Sequence, residues 1–565
     1  MEVNNMAQVI GIGVQDFEKL ITQQYFYVDK TDFIKEWWEN GADVTLITRP
    51  RRFGKTLMMD MTRRFFSIQH PSQGDLFKKL AIWKEERYRN LQGTYPVIFL
   101  SMANIKETSY VNARRKLCQL IVDLYSNYNF LLDSNTMTPQ DRDFFCQVSA
   151  DMGDVEATLA LGHLSKYLSL YYGKKVILLL DEYDTPMQEA YVAGYWKELT
   201  AFIRSLFNAA FKTNPYLERA ILTGITRVGK ESIFSDLNNP EVITATSEKY
   251  ETSFGFTQQE VWMALEEYGL SHEKQEVQDW YDGFTFGRRQ DIYNPWSILN
   301  YLDKRRLAPY WANTSSNNLI DKMIRQSSPQ IKTNLESLLK GEHLYLEIDE
   351  QIVFDQLDED ENSIWSLLLA SGYLKIITYA LNVESGQESY ELSLTNKEVY
   401  ILFRKMIQKW FANSSSVYNG FIRALLEDDR KAMNVYMNKV ALNVLSYFDS
   451  GKKPSDRAEP ERFYHGFVLG LTVDLSDRYI ITSNRESGFG RYDVMLEPRN
   501  DGDAIILEFK VRNPDEEATL KDTAKDALAQ IKRQKYAQSL IAKGISPERI
   551  RSYGFAFEGK TVLIC

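Results

Sequence analysis

Residues 43–66 read DVTLITRPRRFGKTLMMDMTRRFF, and the fold class turns on how they are read. The run from Val44 to Thr48 is apolar and β-branched, as a buried strand requires, and the apolar residues after Gly54 recur at helical spacing. A strand, a basic glycine-containing loop and a helix therefore follow one another. At the junction, Gly54, Lys55 and Thr56 offer a close backbone approach, an ammonium group and a hydroxyl at a helix N-terminus. That combination holds a triphosphate and its Mg²⁺. It is the second half of a Walker A loop, with Arg49 standing where the pattern wants its first glycine.

Three more apolar runs follow: TYPVIFLSM (94–102), KKVILLLDEYD (174–184) and RAILTGITR (219–227). Helix-like stretches separate them, which predicts an α/β multidomain chain opening with a mostly parallel-sheet domain of P-loop NTPase type over residues 1–250. Asp181 and Glu182 leave the third run together. In a P-loop ATPase the first holds Mg²⁺ and the second orients the attacking water, so Glu182 is read as catalytic. Thr223, Thr226 and Arg227 end the fourth run, where a sensor hydroxyl or a charge-neutralising arginine would meet the γ-phosphate.

From Thr257 the pattern turns helical and aromatic, and residues 251–450 are expected to form a helical lid with a small α+β or winged-helix-like module. Trp280, Tyr281, Tyr293 and Trp296 are read as core packing rather than base-stacking platforms, with Asn294 and Pro295 capping a helix. GKKPSDRAEPER (451–462) is the linker candidate. Beyond it, residues 451–565 read as a separate α/β unit.

In GRYDVMLEPRNDGDAIILEFKV (490–511), Asp493 falls on one strand, and Glu508 and Lys510 fall on the next with one residue between them. Period-two geometry puts Glu508 and Lys510 on one face, and the polar connection makes the two strands a hairpin that brings Asp493 beside Glu508. Two carboxylates hold Mg²⁺ or Mn²⁺ through hard oxygens, and the lysine would orient water or neutralise developing charge. Glu461 precedes the strands on a helix, and His465 lies one turn on.

The chain has 565 residues and a formal net charge of −10, so several cores are expected and a surface coated with phosphate-binding residues is excluded. Cys118, Cys146 and Cys565 are too scattered for a zinc site or a disulfide framework. No apolar run approaches bilayer length and the opening residues lack a secretory pattern, so a cytoplasmic protein without a membrane partner is expected.

Seven stretches carry a specific resemblance: GVQDFEKL, YVDKT, TRPRRFGKTL, LLLDEYD, LTGITRVGKESIFSDLNN, WYDGFTFG and IYNPWSILNYL. Together they resemble the AAA-ATPase-like family that commonly carries a C-terminal nuclease-superfamily domain. In that family RPRRFGKT occupies the Walker A place. The resemblance implies ATP bound by Gly54, Lys55 and Thr56, phosphate charge neutralised by the loop arginines with Arg52 among them, and Mg²⁺ near Asp181 and Thr56. The C-terminal region is similar to the PD-(D/E)XK restriction-endonuclease-like superfamily. Asp493, Glu508 and Lys510 would form its active-site core, and Asp493, Glu508 and Glu461 its metal ligands. Arg491 stands beside them, and Gln530 and Tyr536 resemble the glutamine and tyrosine motif of RecB-like nucleases.

The resemblance implies an ATP-binding protein, an ATPase by class, coupled to a Mg²⁺-dependent nuclease acting on nucleic acid, DNA ahead of RNA. The sequence leaves oligomeric state open, a homo-oligomer being one option because AAA-type sites often borrow a neighbour's arginine. The alternative is an ATP-dependent switch or interaction protein whose nuclease-like domain binds without cleaving.

Overall fold

The computed structural model describes residues 7–69, 71–212, 214–227, 240–314, 318–348, 360–381, 388–410, 415–448, 458–485, 491–513, 517–533, 536–558 and 561–565. It divides into two compact units. The first comprises Met1–Thr314 with Tyr345–Val399, and the second Ser315–Leu344 with Tyr400–Cys565.

In the first unit, β1 (Val44–Thr48), β2 (Val97–Ser101), β3 (Val176–Asp181), β4 (Leu217–Gly224) and β5 (Glu241–Ile243) form one sheet in the order β2-β3-β4-β1-β5. All four pairings are parallel. Every residue of β1 and β3 is buried, as expected of parallel strands covered on both faces. One face carries an aromatic core: Phe33, Trp37, Phe65 and Phe66 from two helices meet Ile47, Ile177, Leu179 and Ile221 of the sheet. The strand exits of β1, β3 and β4 therefore open side by side, where Gly54, Asp181 and Gly224 lie.

Two smaller sheets complete the unit. β6 (Phe256–Thr257), β7 (Phe284–Phe286) and β8 (Arg289–Tyr293) pair in the order β6-β8-β7, and β9 (Leu344–Glu347), β10 (Leu374–Leu381) and β11 (Glu388–Leu394) in the order β10-β11-β9. Tyr281 and Tyr293 lie fully buried in a core with Val261, Leu265 and Tyr301. Asn294 caps the helix Pro295–Lys304, its Oδ1 accepting from the amides of Trp296 and Ser297.

The second unit holds a five-stranded mixed sheet of β12 (Tyr479–Arg485), β13 (Arg491–Pro498), β14 (Ala504–Val511), β15 (Ile550–Glu558) and β16 (Thr561–Ile564), in chain order. The β14–β15 pairing is parallel and the others are antiparallel. Helix Leu520–Arg533 crosses over between β14 and β15 and packs on one face through Ala504, Ile506 and Ile531. Phe509 points to the other face, against Phe467 of helix Ala458–Leu475. The linker candidate lies outside the described residues except for Ala458–Arg462, which begin that helix. Among the described residues, no helix is long and apolar enough to cross a membrane.

Candidate nucleotide and metal sites

The loop between β1 and the helix Lys55–Phe66 is set by two residues in left-handed conformations, Arg52 (φ +64°) and Gly54 (φ +83°). Its backbone is fastened from behind. The Arg51 carbonyl accepts from Trp311 Nε1 at 3.0 Å and Asn294 Nδ2 at 3.3 Å. Phe53 packs edge-on against Phe284 with ring centroids 4.8 Å apart, and a Cβ added at Gly372 would lie 2.7 Å from Pro50 Cγ, so the loop has no room to retreat.

Lys55 is 6% exposed, and its ammonium donates to the carbonyls of Arg49 (2.8 Å) and Pro50 (2.9 Å). Burial lowers its pKa, with Glu182, Asp184 and Asp181 opposing the shift. Thr56 Oγ1 donates to Asp181 Oδ2 at 2.8 Å, and Thr223 Oγ1 to Asp181 Oδ1 at 2.6 Å. Burial of Asp181 raises its pKa although both hydroxyls and Lys55 pull it down. Glu182 follows in a left-handed conformation, φ +51°, and lines the cavity with Thr185 donating to its Oε2 at 3.2 Å.

The cavity measures about 480 Å³. Arg51, Arg52, Gly54, Lys55 and Thr56 give its wall positive charge and backbone donors, while Val14, Tyr27, Phe256, Trp296 and Leu299 supply an apolar wall. The Arg52 guanidinium stacks on Trp296 at 4.5 Å from the ring centroid. A pocket of this size with one charged and one apolar side suits a nucleoside triphosphate.

Three residues of the sequence reading lie elsewhere. Arg49 is fully buried and absent from the cavity wall; its guanidinium donates to the carbonyls of Thr48 (2.9 Å) and Thr244 (2.8 Å) and lies 4.4 Å from the Phe286 ring centroid. It anchors the loop to the body of the unit rather than facing phosphate. Thr226 gives its hydroxyl to Asp184 at 3.0 Å. Arg227 lines a separate small cavity with Thr48, Pro50 and Phe286.

Sequence reasoning passed over Asp184, although it stands in the LLLDEYD motif. Its Oδ2 accepts from the amides of Ile225 and Thr226, both at 2.9 Å, and so sets the turn leaving β4. Glu398 was also missed. It is buried, accepts from Ser297 Oγ (2.7 Å) and the Trp311 amide (3.0 Å), and its pKa is pushed up to about 7 by burial. A lone glutamate far along the chain gives no local signal of that role.

In the second unit the register pairs Asp493 directly with Glu508, and Arg491 with Lys510. Glu508 is fully buried, and neither carboxylate oxygen has a hydrogen-bond partner among the described residues. Lys510 is 8% exposed and forms an ion pair with Asp526 of the overlying helix. Gln530, one turn further along that helix, is 4% exposed, and Tyr536 opens the next helix. Glu461 and His465 lie on helix Ala458–Leu475. The side chains of Asp493, Arg491, Glu461 and His465 fall outside the described residues, and among those described no three His, Cys, Asp or Glu side chains converge on one point. An orphaned, buried carboxylate is nonetheless the donor that a hard divalent cation takes, so Glu508 fits such a group.

Comparison with known proteins agrees with both halves. Residues 11–234 match the AAA-ATPase-like family model, described as a predicted AAA-ATPase, and residues 459–565 match the PD-(D/E)XK nuclease superfamily. The chain thus carries an AAA-ATPase-like domain and a C-terminal PD-(D/E)XK nuclease superfamily domain. It is 25% identical over 575 residues to an uncharacterized protein in the vnfD 5′ region of Azotobacter chroococcum mcd 1, with 98% of each chain covered.

Proposed function

We propose that the chain binds ATP with Mg²⁺ in the first unit and cleaves nucleic-acid phosphodiesters at a divalent-metal site in the second, with nucleotide binding setting the activity of the nuclease. The observation that carries this reading is Glu508, a fully buried carboxylate without a partner among the described residues and paired in register with Asp493. Leaving such a group ionised and alone is costly unless a cation completes it.

Asp493, Glu508 and Glu461 would hold Mg²⁺ or Mn²⁺, and Lys510 would neutralise charge developing on the phosphate. The cation, when bound, lowers the pKa of water and offsets phosphate charge. In the first unit, Gly54 and Lys55 would take the phosphates, Thr56 and Asp181 the Mg²⁺, Glu182 the attacking water, and Arg52 the remaining phosphate charge. DNA is the expected substrate ahead of RNA, and the cytoplasm the expected compartment.

The test is cleavage of labelled single- and double-stranded DNA and RNA with Mg²⁺ or Mn²⁺, with and without ATP, in the native chain, Asp493→Ala and Lys55→Ala. Metal-dependent cutting that Asp493→Ala loses supports the nuclease, and an ATP response that Lys55→Ala loses supports the coupling. ATP binding without cutting under any condition would move the reading to a switch or interaction protein whose nuclease-like domain binds but does not cleave.

A further inference from the structure

Ile506, Glu508 and Lys510 alternate with Leu507 and Phe509 along β14, so the first three share one face. Ile506 packs with Ile531 and Leu540, and Lys510 meets Asp526, which puts this row of side chains under the helix Leu520–Arg533. Two residues apart on one strand face, the Cβ atoms of Glu508 and Lys510 are separated by roughly 7 Å, a gap that a lysine stem spans easily. Both residues are buried, where opposite charges attract more strongly than in water.

The two nevertheless do not pair. The Lys510 ammonium bonds Asp526 Oδ2, and the other Asp526 oxygen accepts from Arg533 Nη2 at 2.9 Å. Lys510 and Arg533 together hold the Asp526 carboxyl below the usual carboxylate range, the Lys510 hydrogen bond contributing most. Asp526 is therefore a firm anion on the helix side of the ammonium, and Glu508 keeps both oxygens without a partner among the described residues.

We infer that Asp526 is a positioning residue that draws Lys510 off Glu508 and so keeps the Glu508 carboxylate open to a divalent cation. The inference rests on the metal-site reading proposed above. Without Asp526, Glu508 is the anion that shares its strand face with Lys510 along β14. An ion pair there would occupy the oxygens that a cation needs, and binding would first have to break it. The active-site lysine would then inhibit its own site.

Mn²⁺ binding to the full chain without nucleotide, measured by titration calorimetry and by the electron paramagnetic resonance of free Mn²⁺, tests this without relying on cleavage. The native protein is compared with Glu508→Gln, Asp526→Ala, Asp526→Asn and the double variant Asp526→Ala/Lys510→Met. Glu508→Gln is expected to abolish the site. Loss of the Asp526 charge is expected to weaken Mn²⁺ affinity about tenfold, and the double variant to recover it, because no ammonium remains to compete. Asp526→Asn keeps the side-chain shape and serves if the alanine variant does not fold. Native affinity in both single Asp526 variants, or a double variant as weak as Asp526→Ala, would overturn the inference while leaving Glu508-dependent binding, and so the metal site, in place. Equal binding by the native chain and Glu508→Gln would remove the metal site and the inference with it.

Discussion

Thr56 donates its hydroxyl to Asp181 Oδ2 at 2.8 Å, tying the first turn of the P-loop helix to the exit of β3 across 125 residues of sequence. Asp181 is fully buried and its pKa is raised by burial, so the native state holds its proton more firmly than the unfolded chain does. At neutral pH its ionised form therefore costs stability. Asp181→Asn should raise the melting temperature of the nucleotide-free protein by about 2 °C. It should also lower Mg²⁺·ATP affinity at least ~10-fold, as loss of a charged metal partner does. Scanning fluorimetry and titration with a fluorescent ATP analogue check the two together; a lower melting temperature with unchanged affinity would contradict both.

Restoring the Walker A glycine should damage the protein. Arg49 fills a buried space against Phe286 and serves the carbonyls of Thr48 and Thr244, so Arg49→Gly opens a cavity and leaves those acceptors unpaired. A loss of about 3 kcal/mol or more is expected in urea denaturation. A variant as stable as the native chain would show that the guanidinium is dispensable.

Glu398 makes stability pH-dependent in a defined direction. Its folded-state pKa, pushed up to about 7, lies above the ordinary glutamate value of 4.5. Below the ordinary value both states hold the proton; between the two values the unfolded chain ionises first, so stability falls as pH rises, and above about 7 the loss is complete. The fall amounts to on the order of 3 kcal/mol. Glu398→Gln should flatten melting temperature against pH across that window, and an unchanged slope would exclude Glu398 as its source.

Trp311 touches the loop through one hydrogen bond, from Nε1 to the Arg51 carbonyl. Trp311→Phe keeps an aromatic ring, though a smaller one, and removes the donor, so nucleotide affinity should drop several-fold, in line with the roughly 1 kcal/mol net worth of such a bond. Equal affinities in the two proteins would mean that the loop is held without the Trp311 hydrogen bond.

Much of this was legible because the signals were short-range. The apolar runs ending at Thr48, Ser101, Asp181 and Gly224 are strands of one parallel sheet, since continuous burial writes itself into consecutive residues. Period two likewise brings Glu508 and Lys510 to one face of β14. The role of Arg49 as an anchor to Thr48 and Thr244 was not legible, because a pattern records position in the loop, not side-chain direction. Glu398 and Asp526 gave no warning, since each acts on a group that folding alone brings near: Ser297 is 101 residues from Glu398, and Lys510 is 16 from Asp526.

The fastening of the Arg51 carbonyl by Asn294 and Trp311, and the seat of Pro50 against Gly372, make the nucleotide module a poor cassette for recombination. A fragment ending near residue 250 would inherit the whole Walker A signature without the wall that shapes it. Grafting this module into another chain would therefore require residues 284–311 and Gly372 to move along with it. A chain with the motif but without those segments would carry its spelling without its grip.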